Sequence, residues 1–265
     1  MFKGQRRTKL KGNPLPASWR RIISEYCLFY SRLTGADQRE LDGHIQVFLA
    51  EKQFEGCGGF EIRDEHRVCI AAQACLLLLH RQTDYYPGLR SILVYPAMYV
   101  VPTTRHVGSG VMAETQDHRA GESWSEGAIV LAWDEVYRGL AEPDSGYNVT
   151  LHEFAHQLDY EDGGYADGFP LVGHGESWPA RKKRYADWAR VMRKEYGRLR
   201  SQLQRGEPTL LRGYGATNPA EFFAVATECF FGRPRELQQK HPELYEQMSW
   251  YYKQDPTEWG ARFSQ

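Results

Sequence analysis

Apolar positions recur at helical spacing over residues 17–31, 37–51 and 64–80, after Pro14 and Pro16 and with Gly35 and Gly56-Cys57-Gly58-Gly59 between them. This predicts a helical layer that opens the fold. The stretch 68–79 is apolar on nearly every side, so its helix belongs in the core; it has only about half the ~20 residues that a membrane-spanning helix needs. From Tyr85 the texture changes: residues 90–95, 98–101 and 128–133 are rich in β-branched and aromatic side chains and are separated by Gly- and Pro-containing turns, which predicts short strands. Helical periodicity returns at 147–160, 180–205, 219–231 and 242–253. Helices, then a few strands, then helices predict an α+β fold, mainly helical with a small mixed sheet, because strands do not alternate with helices as in a doubly wound sheet.

Composition adds limits. With 42% hydrophobic residues the 265-residue chain can bury a full core. Lys plus Arg (33) nearly balance Asp plus Glu (34), so global charge favours neither nucleic acid nor an anionic membrane as a partner. The five cysteines are odd in number, lack C-x-x-C spacing and lie mostly in apolar surroundings, which predicts free thiols in a reducing compartment. The basic, polar N-terminus has no apolar core of a secretory signal, so residues 1–13 are expected to be a disordered tail and the protein cytoplasmic. Residues 14–84 are expected to form a helical region packed on a core built by 85–265.

The chemistry concentrates in Val149-Thr150-Leu151-His152-Glu153-Phe154-Ala155-His156-Gln157-Leu158-Asp159. At 3.6 residues per turn, His152 and His156 project from adjacent turns of one helix face, where one zinc ion can bridge both rings. Glu153 is rotated by ~100° from His152, so it flanks the metal as a general base rather than a ligand. The flanking residues are uncharged and mostly apolar, which argues against two solvated surface histidines.

A catalytic zinc needs a third protein ligand and an open position for water. Asp162 stands six residues after His156, where an extended H-E-x-x-H motif places its third ligand, but that motif reverses the chain at a Gly and here the position is Asp159. Glu221 is the distant candidate, in Asn218-Pro219-Ala220-Glu221 at the start of an apolar helix. It also reads as the N3 member of an N-x-x-E capping box. Glu228, two turns along the same face, and Asp159, three residues after His156, are each suited either to orient a ligand histidine or to form an ordinary ion pair.

The segment Tyr147–Asp159, together with Tyr214, Asn218-Pro219-Ala220-Glu221 and the helix as far as Phe231, resembles the Mlc titration factor A family of zinc metallopeptidases. The likeness is expected to run from the helix before Gly56 to the C-terminus, leaving the basic tail outside. The resemblance implies a zincin-like catalytic domain over 85–265, similar to the protease domain of anthrax lethal factor. It implies one zinc ion held by His152, His156 and Glu221, Glu153 as base, and Tyr214 as donor to the developing oxyanion. It further implies peptidase activity of an aminopeptidase-like kind and, as partner, an Mlc-like transcriptional repressor of sugar uptake. A non-catalytic protein that titrates such a factor, with zinc mainly structural, is the alternative.

Three further expectations concern substrate. Residues 128–133 are the candidate edge strand for pairing with a peptide, against an ordinary core strand. The Gly-rich stretches 163–169 and 173–176 suggest a lid, with His174 either touching substrate or exposed on the loop. Residues 181–205 carry ten Lys or Arg against Asp187 and Glu195, a solvated helix face or a docking patch for an acidic partner.

Overall fold

Lys3, Arg7 and Lys11 recur every four residues, so in a helix they share one face. That face meets acid: Arg7 donates to both carboxylate oxygens of Glu51 at 2.8 and 2.7 Å, and Lys3 reaches Asp84 at 2.9 Å. The Arg7 guanidinium also lies 4.6 Å from the centre of the Tyr85 ring. The segment expected to be a disordered tail is therefore helix α1 (Lys3–Gly12). Its composition reads as solvated because its partners lie some 44 and 77 residues away.

The computed structural model describes the backbone of residues 3–97, 99–107, 111–119, 121–124, 127–162, 166–170 and 178–260, and the side chains of 3–97, 127–161, 166–170 and 179–260. Helices α2 (Ala17–Tyr26) and α3 (Gly35–Glu51) lead to strand β1 (Gln53–Gly56). The apolar run becomes α4 (Asp64–Leu76), whose residues from Val68 to Leu76 are all buried. Then come β2 (Ser91–Tyr95), the antiparallel hairpin β3 (Tyr99–Val107) and β4 (Val111–Arg119), β5 (Gly121–Trp124) and β6 (Ala128–Ala132). The rest is helical: α5 (Trp133–Ala141), α6 (Val149–Asp159), α7 (Trp178–Gln204), α8 (Pro219–Gly232), α9 (Pro234–Lys240) and α10 (Pro242–Tyr252). The architecture is α+β.

The sheet order is β1-β2-β6-β5, with β1, β2 and β6 parallel and β5 antiparallel to β6. Strand β6 is paired on both sides, Ile129 standing opposite Ile92 on one and Ser123 on the other. Residues 128–132 thus form a core strand, and the candidate edge beside α6 is β5. Both ladders of β6 consume the backbone groups that a docking peptide would need.

All eleven residues of α6 are buried. Phe154 stacks edge-on against Phe48 (5.7 Å) and Tyr86 (4.9 Å). Two residues along a helix is ~200° of rotation, so pinning Phe154 on this side aims His152 and His156 toward α8. Helix α8 is anchored in turn by Phe223, which packs against Trp188 and Tyr251. Each such ring contributes roughly 1.5–3 kcal/mol by burial. One hydrophobic core runs from Leu15 to Tyr252 and includes both the N-terminal helices and α6. The five cysteines are free thiols. Among the described residues no helix is long and apolar enough to cross a membrane.

Candidate metal centre

Two asparagine caps set the register of the site. Asn148 accepts the Leu151 N–H at 2.9 Å and starts α6; Asn218 accepts the Glu221 N–H at 2.9 Å and, with Pro219 after it, starts α8. The cap at Asn218 is half of the expected capping box. The Glu221 carboxylate turns instead to the histidines, its Oε2 lying 2.9 Å from His152 Nε2 and 3.4 Å from His156 Nε2. The two rings stand edge to face, with centroids 4.9 Å apart.

His152, His156 and Glu221 each offer a ligand atom within 4.8 Å of the other two. Two imidazole nitrogens and one carboxylate oxygen are a donor set suited to a catalytic zinc with an open fourth position. A second observation supports the fit: Glu153 is buried, and its Oε2 has no hydrogen-bond partner among the described residues. A buried carboxylate oxygen without a donor costs free energy, a cost that folded proteins keep where function uses the group.

The charges are strongly coupled. Burial pushes Glu153 above its ordinary value, and the nearby histidines offset only part of this. Burial also acts to raise Glu221, but hydrogen bonds from His152 and His156 outweigh it and hold the carboxyl well below the usual range. Burial acts to lower His152, and its bonds to Glu221 and Glu228 more than reverse this, up to about 10.

The remaining candidates are placed as follows. Glu228 Oε1 lies 2.7 Å from His152 Nδ1, the nitrogen that faces away from Glu221. Asp159 accepts the Gly168 N–H at 2.7 Å, so it ties the following loop to the end of α6. Tyr214, on a short 3-10 turn (Gly213–Ala216), is 53% exposed, with its ring centroid 5.8 Å from that of His152. Asp162 ends the turn after α6, and its side chain, like the stretches 163–165 and 171–177 with His174, lies outside the described residues. Arg212 was not singled out from the sequence; it bonds Glu228 Oε1 and stacks 4.7 Å over the Tyr147 ring. Nothing in its local pattern, Leu211-Arg212-Gly213, signals that role.

Residues 2–253 match the family described as glucose-regulated metallo-peptidase M90. The chain belongs to the M90 family. Helix α1 therefore lies within the likeness, which was expected to begin later, and the match stops at residue 253 rather than at the C-terminus. An uncharacterized protein of Synechocystis sp., slr2042, is 42% identical over 252 residues, covering 95% of this chain and 89% of that protein. Mlc titration factor A of Klebsiella pneumoniae is 30% identical over 230 residues, 86% of this chain and 83% of that protein. Mlc titration factor A of Salmonella gallinarum is also 30% identical, over 228 residues, 85% and 82% respectively. Membership of M90 implies a metal, and the His152, His156 and Glu221 group has the chemistry to hold one.

Proposed function

We propose that this protein is a cytoplasmic zinc-dependent peptidase, aminopeptidase-like in its substrates, that holds one zinc ion per chain on His152, His156 and Glu221. The observation that carries the reading is the convergence of these three ligand atoms beside a buried, unpartnered Glu153 oxygen. Zinc, when bound, supplies Lewis acidity that makes water a better nucleophile and polarises the scissile carbonyl. Glu153 takes the proton from the attacking water and passes it to the leaving amine. Tyr214 donates its hydroxyl to the oxyanion as charge develops there. The edge strand β5 aligns the substrate backbone by pairing. The free thiols support a reducing, cytoplasmic setting.

A second reading rests on the name of the Klebsiella and Salmonella relatives. In it the protein binds and titrates an Mlc-like repressor, and zinc serves mainly structure. Glu153→Gln separates the two. On the peptidase reading the variant keeps its zinc and loses cleavage of a peptide library by about 10²–10⁴-fold, whereas Glu221→Ala loses zinc. Equal turnover by wild type and Glu153→Gln would end the mechanism; undiminished capture of a repressor with no cleavage by either protein would favour titration.

A further inference from the structure

Glu228 stands beside the site with its side chain fully buried. Three donors converge on it. Its Oε1 takes His152 Nδ1 at 2.7 Å and the Arg212 guanidinium, while its Oε2 takes the backbone N–H of Asn148 at 2.7 Å. A carboxylate oxygen accepts, so His152 Nδ1 donates to Glu228, and Nε2, turned toward Glu221, is the nitrogen that would give up its proton to a bound metal. Asn148 is the cap of α6, so the same carboxylate also fixes where that helix begins relative to α8.

Arg212 extends this arrangement outward. It immediately precedes the 3-10 turn that presents Tyr214, and its guanidinium lies between Glu228 and the face of Tyr147. One side chain therefore ties the Tyr214 turn to the carboxylate that orients His152.

Building on the proposed zinc site, we propose that Glu228 and Arg212 are a positioning pair: Glu228 sets the tautomer and direction of His152, and Arg212, acting through Glu228, holds that setting in register with the Tyr214 turn. A carboxylate that merely paired with the partly exposed Arg212 would need neither the His152 contact nor the bond to the α6 cap. Loss of such an outer partner weakens metal binding by about 10–100-fold.

The test is zinc affinity by chelator competition on full-length wild type, Glu228→Gln, Arg212→Met, Arg212→Lys and the Glu228→Gln/Arg212→Met double variant, with folding checked by circular dichroism. Glu228→Gln is expected to weaken zinc by about 10–100-fold. Arg212→Met is expected to weaken it less, Arg212→Lys to recover part of that loss, and the double variant to be no weaker than Glu228→Gln. The cobalt(II) absorption spectrum should shift in Glu228→Gln and in Arg212→Met, because the His152 ring turns. Where Glu228→Gln does not fold, Glu228→Asp keeps the charge, withdraws it by one methylene and is read by the same two measurements.

Wild type that holds no zinc would sink the metal reading itself. Wild type that binds zinc while folded Glu228 variants bind it equally, with an unchanged cobalt spectrum, would overturn the positioning pair alone. Multiplying losses in the double variant would overturn the claim that Arg212 acts through Glu228.

Discussion

Gly168 adopts φ +79, donates its N–H to Asp159 and accepts the Trp188 indole N–H at 3.1 Å through its carbonyl. A Cβ at this position would stand 2.4 Å from the Pro219 carbonyl oxygen and 2.8 Å from its carbon. Pro219 opens α8, two residues before Glu221. In Gly168→Ala the left-handed conformation costs about 1–2 kcal/mol and the overlap with rigid backbone about 1–3 kcal/mol. The expected loss is therefore about 2–5 kcal/mol, a large share of the ~5–15 kcal/mol that holds a typical domain together. Relief of the overlap moves the first turn of α8, and zinc affinity falls by on the order of tenfold as Glu221 leaves its place. Gly206→Ala is the matched control: its φ is +67 and nothing lies within 4 Å of the added carbon, so it bears only the conformational cost. Urea unfolding reads the stability difference and chelator competition reads the zinc. Equal midpoints and equal zinc affinities for the two variants would refute the argument that Gly168 abuts and positions α8.

Tyr214→Phe should lower kcat by about 10²–10³-fold and leave zinc affinity and melting temperature unchanged, because the ring is half exposed; an unaltered kcat removes Tyr214 from the chemistry. Arg7→Ala removes the bonds to Glu51 and Asp84 and should cost about 1–2 kcal/mol, with α1 amides losing hydrogen-exchange protection before the rest; protection equal to wild type would show that α1 is held otherwise. Glu40 is drawn down from 4.5 to about 2 by the His44 hydrogen bond, against burial and with help from the His80 N–H. A depressed folded value gives stability that is present above about pH 4.5 and lost as pH falls toward 2. The gap in urea midpoint between wild type and Glu40→Gln should close across that window, and a gap that persists at pH 2 contradicts the linkage.

Local periodicity carries far in this chain. The helix bearing His152, Glu153 and His156, the cap at Asn148, the Asn218-Pro219 start of α8 and the α+β class are all legible, because each depends on contacts a few residues apart or on a repeat of 3.6 or 2. The ligand pair on α6 belongs to this group, since i and i+4 meet on any helix.

Folding alone decided the rest, for one physical reason: these contacts join positions far apart in sequence, and no local pattern encodes them. Glu221 reads from the sequence both as a capping residue and as a distant ligand candidate, and only the packing of α8 on α6 brings its carboxylate to His152, 69 residues away. Strand β6 reads equally as an edge strand or a core strand until β2 and β5 take both its sides. The basic residues of α1 read as solvated until Glu51 and Asp84 meet them. Arg212 has no signature at all, because its meaning lies in Glu228 and in the ring of Tyr147.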